Sequence, residues 1–241
     1  LLIIASPKSD LLPGETNRIK RFLEAGGNLL WLIENNELRG MNVLGEYIGL
    51  KLTNGITFDP RAGSLNLSPA FSLASRYLEH PATKGSSMTS VFPYAQSIQH
   101  KKTSSEFTFT PLVEVADQGW LEVNDFSNPS FDPKVDLPGP IVVAGAFERP
   151  LEKKTQRIIA VGTGNTLSNQ HIGLLGNLDF GVNAVNWLTG DENLITIQPR
   201  SKIDQALEIN LGVFVLANFF FCLPVIFVLT GGVIWWRRRQ A

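Results

Sequence analysis

The sequence predicts an α/β protein with one further, membrane-crossing helix at its C-terminal end, and three observations carry that prediction. "LLIIASPKSDLLPGETNRIKRFLEAGGNLLWLI" reads as strand, helix and strand within 33 residues, the length of a βαβ unit with parallel strands and a right-handed crossover. "IVVAGAF" and "RIIAVGT" are two β-rich runs joined by a charged loop, the pattern of a hairpin. From Leu211 to Trp236 no residue is charged, a run longer than buried core helices sustain. The expected architecture is therefore an open, mostly parallel sheet flanked by helices, flavodoxin-like or amidotransferase-like. Residues 1–199 form the α/β domain, 200–210 a linker, 211–236 the transmembrane helix and 237–241 a basic tail.

Each element has a local cause. Leu1 to Ala5 is a continuous apolar run suited to a buried strand. Pro13 sits near a helix start, Ile19, Phe22 and Leu23 fall on one helical face, and Gly26-Gly27 end the helix. Asn28 to Ile33 is a second buried strand, Met41 to Gly49 a short helix, and Lys51 to Phe58 strand-like. "DPRAGSLNLSP" and "EHPATKGSS" read as loops, "SVFPYAQSI" and "FTFTPLVEVA" as strands. "NDFSNPSFDPKVDLPGP" is rich in Asn, Asp and Pro and must be an exposed excursion. "NLDFGVNAVNWLTG" places Phe180, Ala184, Trp187 and Leu188 on one face, with Asn177 as a cap and Gly190 as a stop. The chain opens inside a strand-like run, without methionine, charged n-region or cleavage pattern, and is expected to be a fragment lacking its true beginning.

The C-terminal run would span roughly 39 Å as a helix, enough to cross a hydrocarbon core of about 30 Å with tilt. Trp235 and Trp236 stand where an interfacial aromatic belt belongs, and Arg237, Arg238 and Arg239 follow at once. The other flank mixes Arg200 and Lys202 with Asp204 and Glu208. Positive charge stays in the cytoplasm, so the tail is expected to point inward and the preceding domain to face the periplasm or exterior. The competing topology is a tail-anchored protein with its domain in the cytoplasm. Asn218 and Cys222, four residues apart, are candidates for helix–helix contact. Pro224 and Gly231-Gly232 permit a kink or a close approach.

Composition excludes several functions. A net charge of −1 generates no field for nucleic acid. Cys222 is the only cysteine, so a disulfide framework and a cysteine-rich metal site are excluded. It lies in the apolar run, which leaves a cysteine-dependent amidotransferase without its nucleophile. "VGTGN" follows a strand, but Gly162 and Gly164 are followed by Leu167 where a dinucleotide loop needs glycine, and no Lys-Ser/Thr pair makes a P-loop. His80, His100 and His171 are scattered outside metal-ligand spacing, and no G-x-S-x-G elbow exists. Asp10, Glu15, Glu34 and Asp59 lie near expected strand ends. Ligands of open α/β sheets sit at the carboxyl ends of strands. That makes Pro7, Lys8, Ser9 and Asp10, with Thr163, Gly164 and Asn165, the candidate ligand or partner cleft. No catalytic residue, metal or cofactor is expected.

Taken in order along nearly the whole chain, "LLIIASPKSDLLPGETNRIKRFLEAGGNLLWLI", "HPATKG", "TPLVEVADQGWLEV", "IIAVGTGNTLSN", "GNLDFGVNAVNWLTGDENLITIQPR" and the final span with its arginines resemble the GldG-type, gliding-motility-related auxiliary components of ABC transporters. The resemblance implies a bacterial inner-membrane protein whose α/β domain lies outside the cytoplasm beside an ABC-type exporter, with a further N-terminal portion and another membrane helix. Relatives often carry acidic residues after the glycine of "VG", where this chain has Thr163 and Asn165. The resemblance brings no catalytic residues.

The expected function is thus a membrane-anchored, non-enzymatic accessory subunit, its partners the bilayer, an ABC permease and a separate ATPase. The rival is a membrane-tethered envelope hydrolase, which requires two carboxylates converging in one cleft, one of them in an apolar pocket. A structural scaffold, the third reading, requires no concave pocket and a broad exposed apolar patch instead.

Overall fold

The computed structural model describes residues 1–34, 38–101, 106–190 and 211–240, without the side chains of 211–218 and 221. The chain divides into two units, Leu1–Gln198 and Pro199–Ala241. The first is a mixed α/β unit with a curled sheet and few helices. Its described strands are β1 (Leu2–Ala5), β2 (Leu29–Leu32), β3 (Leu50–Thr53), β4 (Ile56–Phe58), β5 (Phe71–Tyr77), β6 (Val91–Pro93), β7 (Ser97–His100), β8 (Thr108–Val115), β9 (Trp120–Glu122), β10 (Leu137–Pro138), β11 (Ile141–Pro150) and β12 (Thr155–Val161). Its α-helices are α1 (Pro13–Glu24), α2 (Asn42–Ile48) and α3 (Asn177–Thr189).

The main sheet has seven strands in the order β1-β2-β12-β11-β8-β5-β6. β1, β2 and β12 run parallel, while the pairs β12–β11, β11–β8, β8–β5 and β5–β6 are antiparallel. The expected mostly parallel sheet is thereby corrected to a mixed one. Parallel neighbours need a long crossover, and α1 supplies it between β1 and β2, whereas the short turn after Pro150 forces β11 and β12 antiparallel as a hairpin does. Two small sheets, β10-β9-β4 and β3-β7, complete the unit.

Burial explains the apolar run of β2, whereas the run at residues 1–5, expected to be buried, has only Ile4 buried and leaves Leu1 and Ile3 exposed. Leu29 and Trp31 of β2 join Leu23 of α1 and Leu44 and Ile48 of α2 in one core layer. Leu30 and Leu32 join Phe180, Ala184, Trp187 and Leu188 of α3 in the other. A strand covered on both faces has no reason to alternate.

The helix signals held in part. Glu15 accepts the Leu12 N–H at 2.9 Å, Gly26 takes φ 81° after α1, and Gly190 takes φ 82° after α3. Asn177 is not the cap of α3, which is Gly176. Its buried amide instead accepts from Val91 N at 2.7 Å and donates to the His171 carbonyl at 2.9 Å. "SVFPYAQSI" is two strands, because Tyr94 at φ 54° turns the chain between β6 in the main sheet and β7 beside β3. Lys51 to Phe58 is likewise split, at Gly55 with φ 137°. β5 lies between the two segments read as loops and carries no alternation that announces it.

Polar side chains close the helix ends. Gln156, fully buried, donates through Nε2 to the carbonyls of Leu23 and Gly27 at 2.8 and 2.7 Å. Its Oε1 accepts from Arg149 Nη2 at 2.8 Å. Asn28 Nδ2 donates to the Leu188 carbonyl at 2.7 Å, and Arg157 Nη1 to that of Trp187 at 2.7 Å.

Between β9 and β10 the excursion at 123–136 is tied by its own acids. The buried Asp136 accepts from Val123 N at 3.1 Å and Asp132 N at 2.7 Å. Burial pushes the Glu122 carboxyl up, but hydrogen bonds from Trp120 Nε1 and the backbone N–H groups of Asp125, Asn124 and Ser130 outweigh it and leave its pKa below the ordinary 4.5.

In the second unit α4 runs Leu211–Arg239, 29 residues with Pro224 inside it. Among the described residues no helix is long and apolar enough to cross a membrane. The expected C-terminal transmembrane helix is therefore not supported by the described residues. The Arg239 guanidinium lies over the Trp235 ring at 4.5 Å, and Cys222 is exposed. The Asn218 side chain and the linker at 200–210 lie outside the described residues.

Two outcomes follow from these bonds. Gln156→Ala takes the side-chain donor from the Gly27 carbonyl and one of the donors from the Leu23 carbonyl, which keeps the Gly26 N–H, and should cost about 2 kcal/mol in chemical denaturation. A carboxylate with a depressed folded pKa stabilises above its unfolded value, here 4.5, and that contribution is lost as pH falls through the folded value. Tryptophan fluorescence should therefore show an acid transition below that pH which Glu122→Gln removes.

Candidate functional site

The carboxyl ends of β1, β2 and β12 lie side by side, because those three strands are parallel neighbours. Ser6, just past β1, bends the chain at φ 46° and donates its N–H to the Leu32 carbonyl at 3.1 Å. Gly164, just past β12, packs against it: a Cβ there would stand 1.5 Å from Ser6 Oγ and 2.7 Å from Ser6 Cβ. The two expected loops thus meet, through Ser6 rather than through the residues singled out from sequence.

Most of the polar groups at this meeting point are spent on the fold. Thr163 is buried, donates through Oγ1 to the Pro93 carbonyl at 2.7 Å and accepts from Asn165 N at 3.1 Å. The Asn165 carbonyl accepts from Ser168 Oγ at 2.8 Å and lies 3.1 Å from His171 Nδ1. Asn165–Leu167 is a single 3-10 turn, so no helix N-terminus stands behind "VGTGN" to hold a phosphate. Lys8 Nζ reaches Glu34 Oε1 at 2.8 Å across the same end of the sheet. Pro7 is half-buried, and Ser9 and Asp10 are exposed. Sequence reasoning passed over Gln96, which lies against Gly162, is 1% exposed and has both amide atoms without a hydrogen-bond partner among the described residues. A lone glutamine in a strand-like run gives no signal of its burial.

The acidic residues are dispersed in their tasks. Asp59, fully buried, is bridged by Arg61 Nη2 at 2.7 Å and accepts from Leu73 N at 3.2 Å. Glu15 caps α1 and Glu34 holds Lys8. His80 accepts from Ala82 N through Nδ1 at 3.1 Å and packs edge-on to Trp187 at 4.7 Å, a turn residue as expected. Among the described residues no three His, Cys, Asp or Glu side chains are grouped to hold a metal ion.

Beside the strand ends, an apolar groove of 410 Å³ opens between β1 and α3. Ile3, Leu32, Leu167, Leu178, Val182 and Val185 line it. Ile3, Leu178 and Val182 are exposed, because α3 covers β2 and β12 but leaves this face of β1 bare.

No protein-family model matches the chain, and no curated protein matches it. A solved structure described as the mmIFT52 N-terminal domain is similar, with a TM-score of 0.57 and 18% identity over 78% of this chain and 76% of that one. At that identity the likeness is one of fold alone.

The contact between the loops is testable. Gly164→Ala should cost about 1–3 kcal/mol by overpacking against Ser6. Adding Ser6→Gly, which removes the clashing atoms and relaxes a left-handed residue, should recover roughly half or more of that loss in denaturation midpoint.

Proposed function

We propose that this chain is a membrane-anchored, non-catalytic accessory subunit of an ABC-type transport system, of the GldG-type class that its sequence blocks resemble. The observation that carries the reading is the C-terminal helix. It is continuous from Leu211 to Arg239, its sequence is uncharged from Leu211 to Trp236, and two tryptophans precede three arginines at its end. Arg239 stacked on Trp235 is the pairing expected of side chains sharing an interfacial layer. In this reading α4 crosses the inner membrane with its arginines in the cytoplasm, and the α/β unit is extracytoplasmic. In the same reading α4 packs against neighbouring membrane helices, with Cys222 at the contact.

The α/β unit then serves by contact. The bare groove along β1 and α3 supports binding to an apolar surface of the permease. The strand-end loops support that role better than chemistry, since Thr163, Glu34 and Asp59 are each committed to internal bonds. A separate ATPase supplies the energy.

A fluorescent-protein fusion after Ala241 should be active and a phosphatase fusion at the same place inactive; the reverse pattern overturns the topology. In mild detergent a permease and an ATPase should co-purify with the chain, while the chain alone should not hydrolyse ATP.

A further inference from the structure

The excursion between β9 and β10 exposes Phe126 (45%), Phe131 (42%), Val135 (41%) and Leu137 (39%) within one short stretch. Large apolar side chains on a floppy loop would fold under; these are held out. Asp136 draws Val123 and Asp132 together. Glu122 gathers Asn124 N at 3.3 Å and Asp125 N at 3.1 Å, and Asp125 Oδ1 accepts from Ser127 N at 3.0 Å and Asn128 N at 3.1 Å. An aromatic row anchors the tip: Phe131 lies 6.2 Å from Trp120, whose ring stacks on the buried Phe58 at 5.9 Å. The ordering cost of binding is therefore met in the free protein.

Charge selects the occupant. From Val123 to Pro140, Asp136 is buried, and the exposed charges are Asp125, Asp132 and the single cation Lys134. Asp125 and Asp132 are exposed beside the phenylalanines. An anionic lipid surface repels such a rim, and insertion of the rings would drag carboxylates toward hydrocarbon. Nucleic acid is repelled for the same reason. We propose that residues 123–138 are a docking surface for a basic protein partner, whose apolar cleft receives Phe126 and Phe131 and whose Lys or Arg side chains meet Asp125 and Asp132. Aromatic anchors ringed by charge are how small interfaces concentrate their energy and speed their encounter. The proposal does not depend on which way α4 crosses a membrane.

The test is photo-crosslinking of the full chain in its native membranes, with Phe126→p-benzoylphenylalanine or Phe131→p-benzoylphenylalanine, and sequencing of the adduct. The expected adduct is a protein segment with net positive charge and apolar residues at the crosslinked position. Asp125→Asn with Asp132→Asn keeps the Oδ1 acceptors and removes the charge; with an unchanged melting curve, it should lower the yield about five-fold or more, as should about 0.5 M salt. A lipid adduct, an adduct to a neutral or acidic segment, a yield insensitive to both charge removal and salt, or no adduct at either position would each overturn the proposal.

Discussion

The structure depends on the double burial of β2 and β12. With α1 and α2 on one side and α3 on the other, neither strand has a face left for water. Their apolar side chains supply the core, but the same enclosure denies solvent to the helix termini that pack over them. Gln156, Asn28 and Arg157 meet that demand from positions on or beside the strands themselves. Helix ends and sheet are thus fastened by the residues that also set the register of the strands.

This fastening places the strand ends. Because β1, β2 and β12 are parallel and in register, their carboxyl ends emerge together and bring Ser6 against Gly164. The approach is so close that the Ser6 side chain fills the space a side chain at position 164 would occupy. Thr163 then turns inward to satisfy the Pro93 carbonyl and the Asn165 N–H. The position at which open α/β sheets receive ligands is here largely consumed by the fold. Among the described residues of the first unit, the apolar surfaces left open include the groove of β1 with α3 and the tip of the 123–136 excursion.

Where sequence reasoning succeeded, the cause was local. The first βαβ unit, the β11–β12 hairpin, the glycine stops at Gly26 and Gly190 and the inward face of α3 all rest on periodicity or backbone freedom within a few residues. Where it fell short, the cause was a distant partner. Asn177 has the chemistry of a cap, yet its amide is taken by Val91, far away in the chain. "SVFPYAQSI" has one composition but serves two sheets, since β5 and β3 lie on different sides of the turn at Tyr94. The candidate cleft was legible as a pair of strand ends. Its contents were not, because Ser6, Gln96 and the committed Thr163 are defined by what packs against them.

What the sequence by itself determined is the first strand–helix–strand unit, the β11–β12 hairpin, the inward face of α3 and the uncharged C-terminal run with its aromatic and basic end. These follow from hydrophobic periodicity, turn residues and charge order, which act over a few residues at a time. Only the tertiary structure decided that the sheet is mixed, that the strand-end loops are filled by their own chain, and that the excursion holds its phenylalanines outward. Those outcomes come from strand pairing and buried hydrogen bonds between residues remote in the chain, whose partners no local pattern specifies.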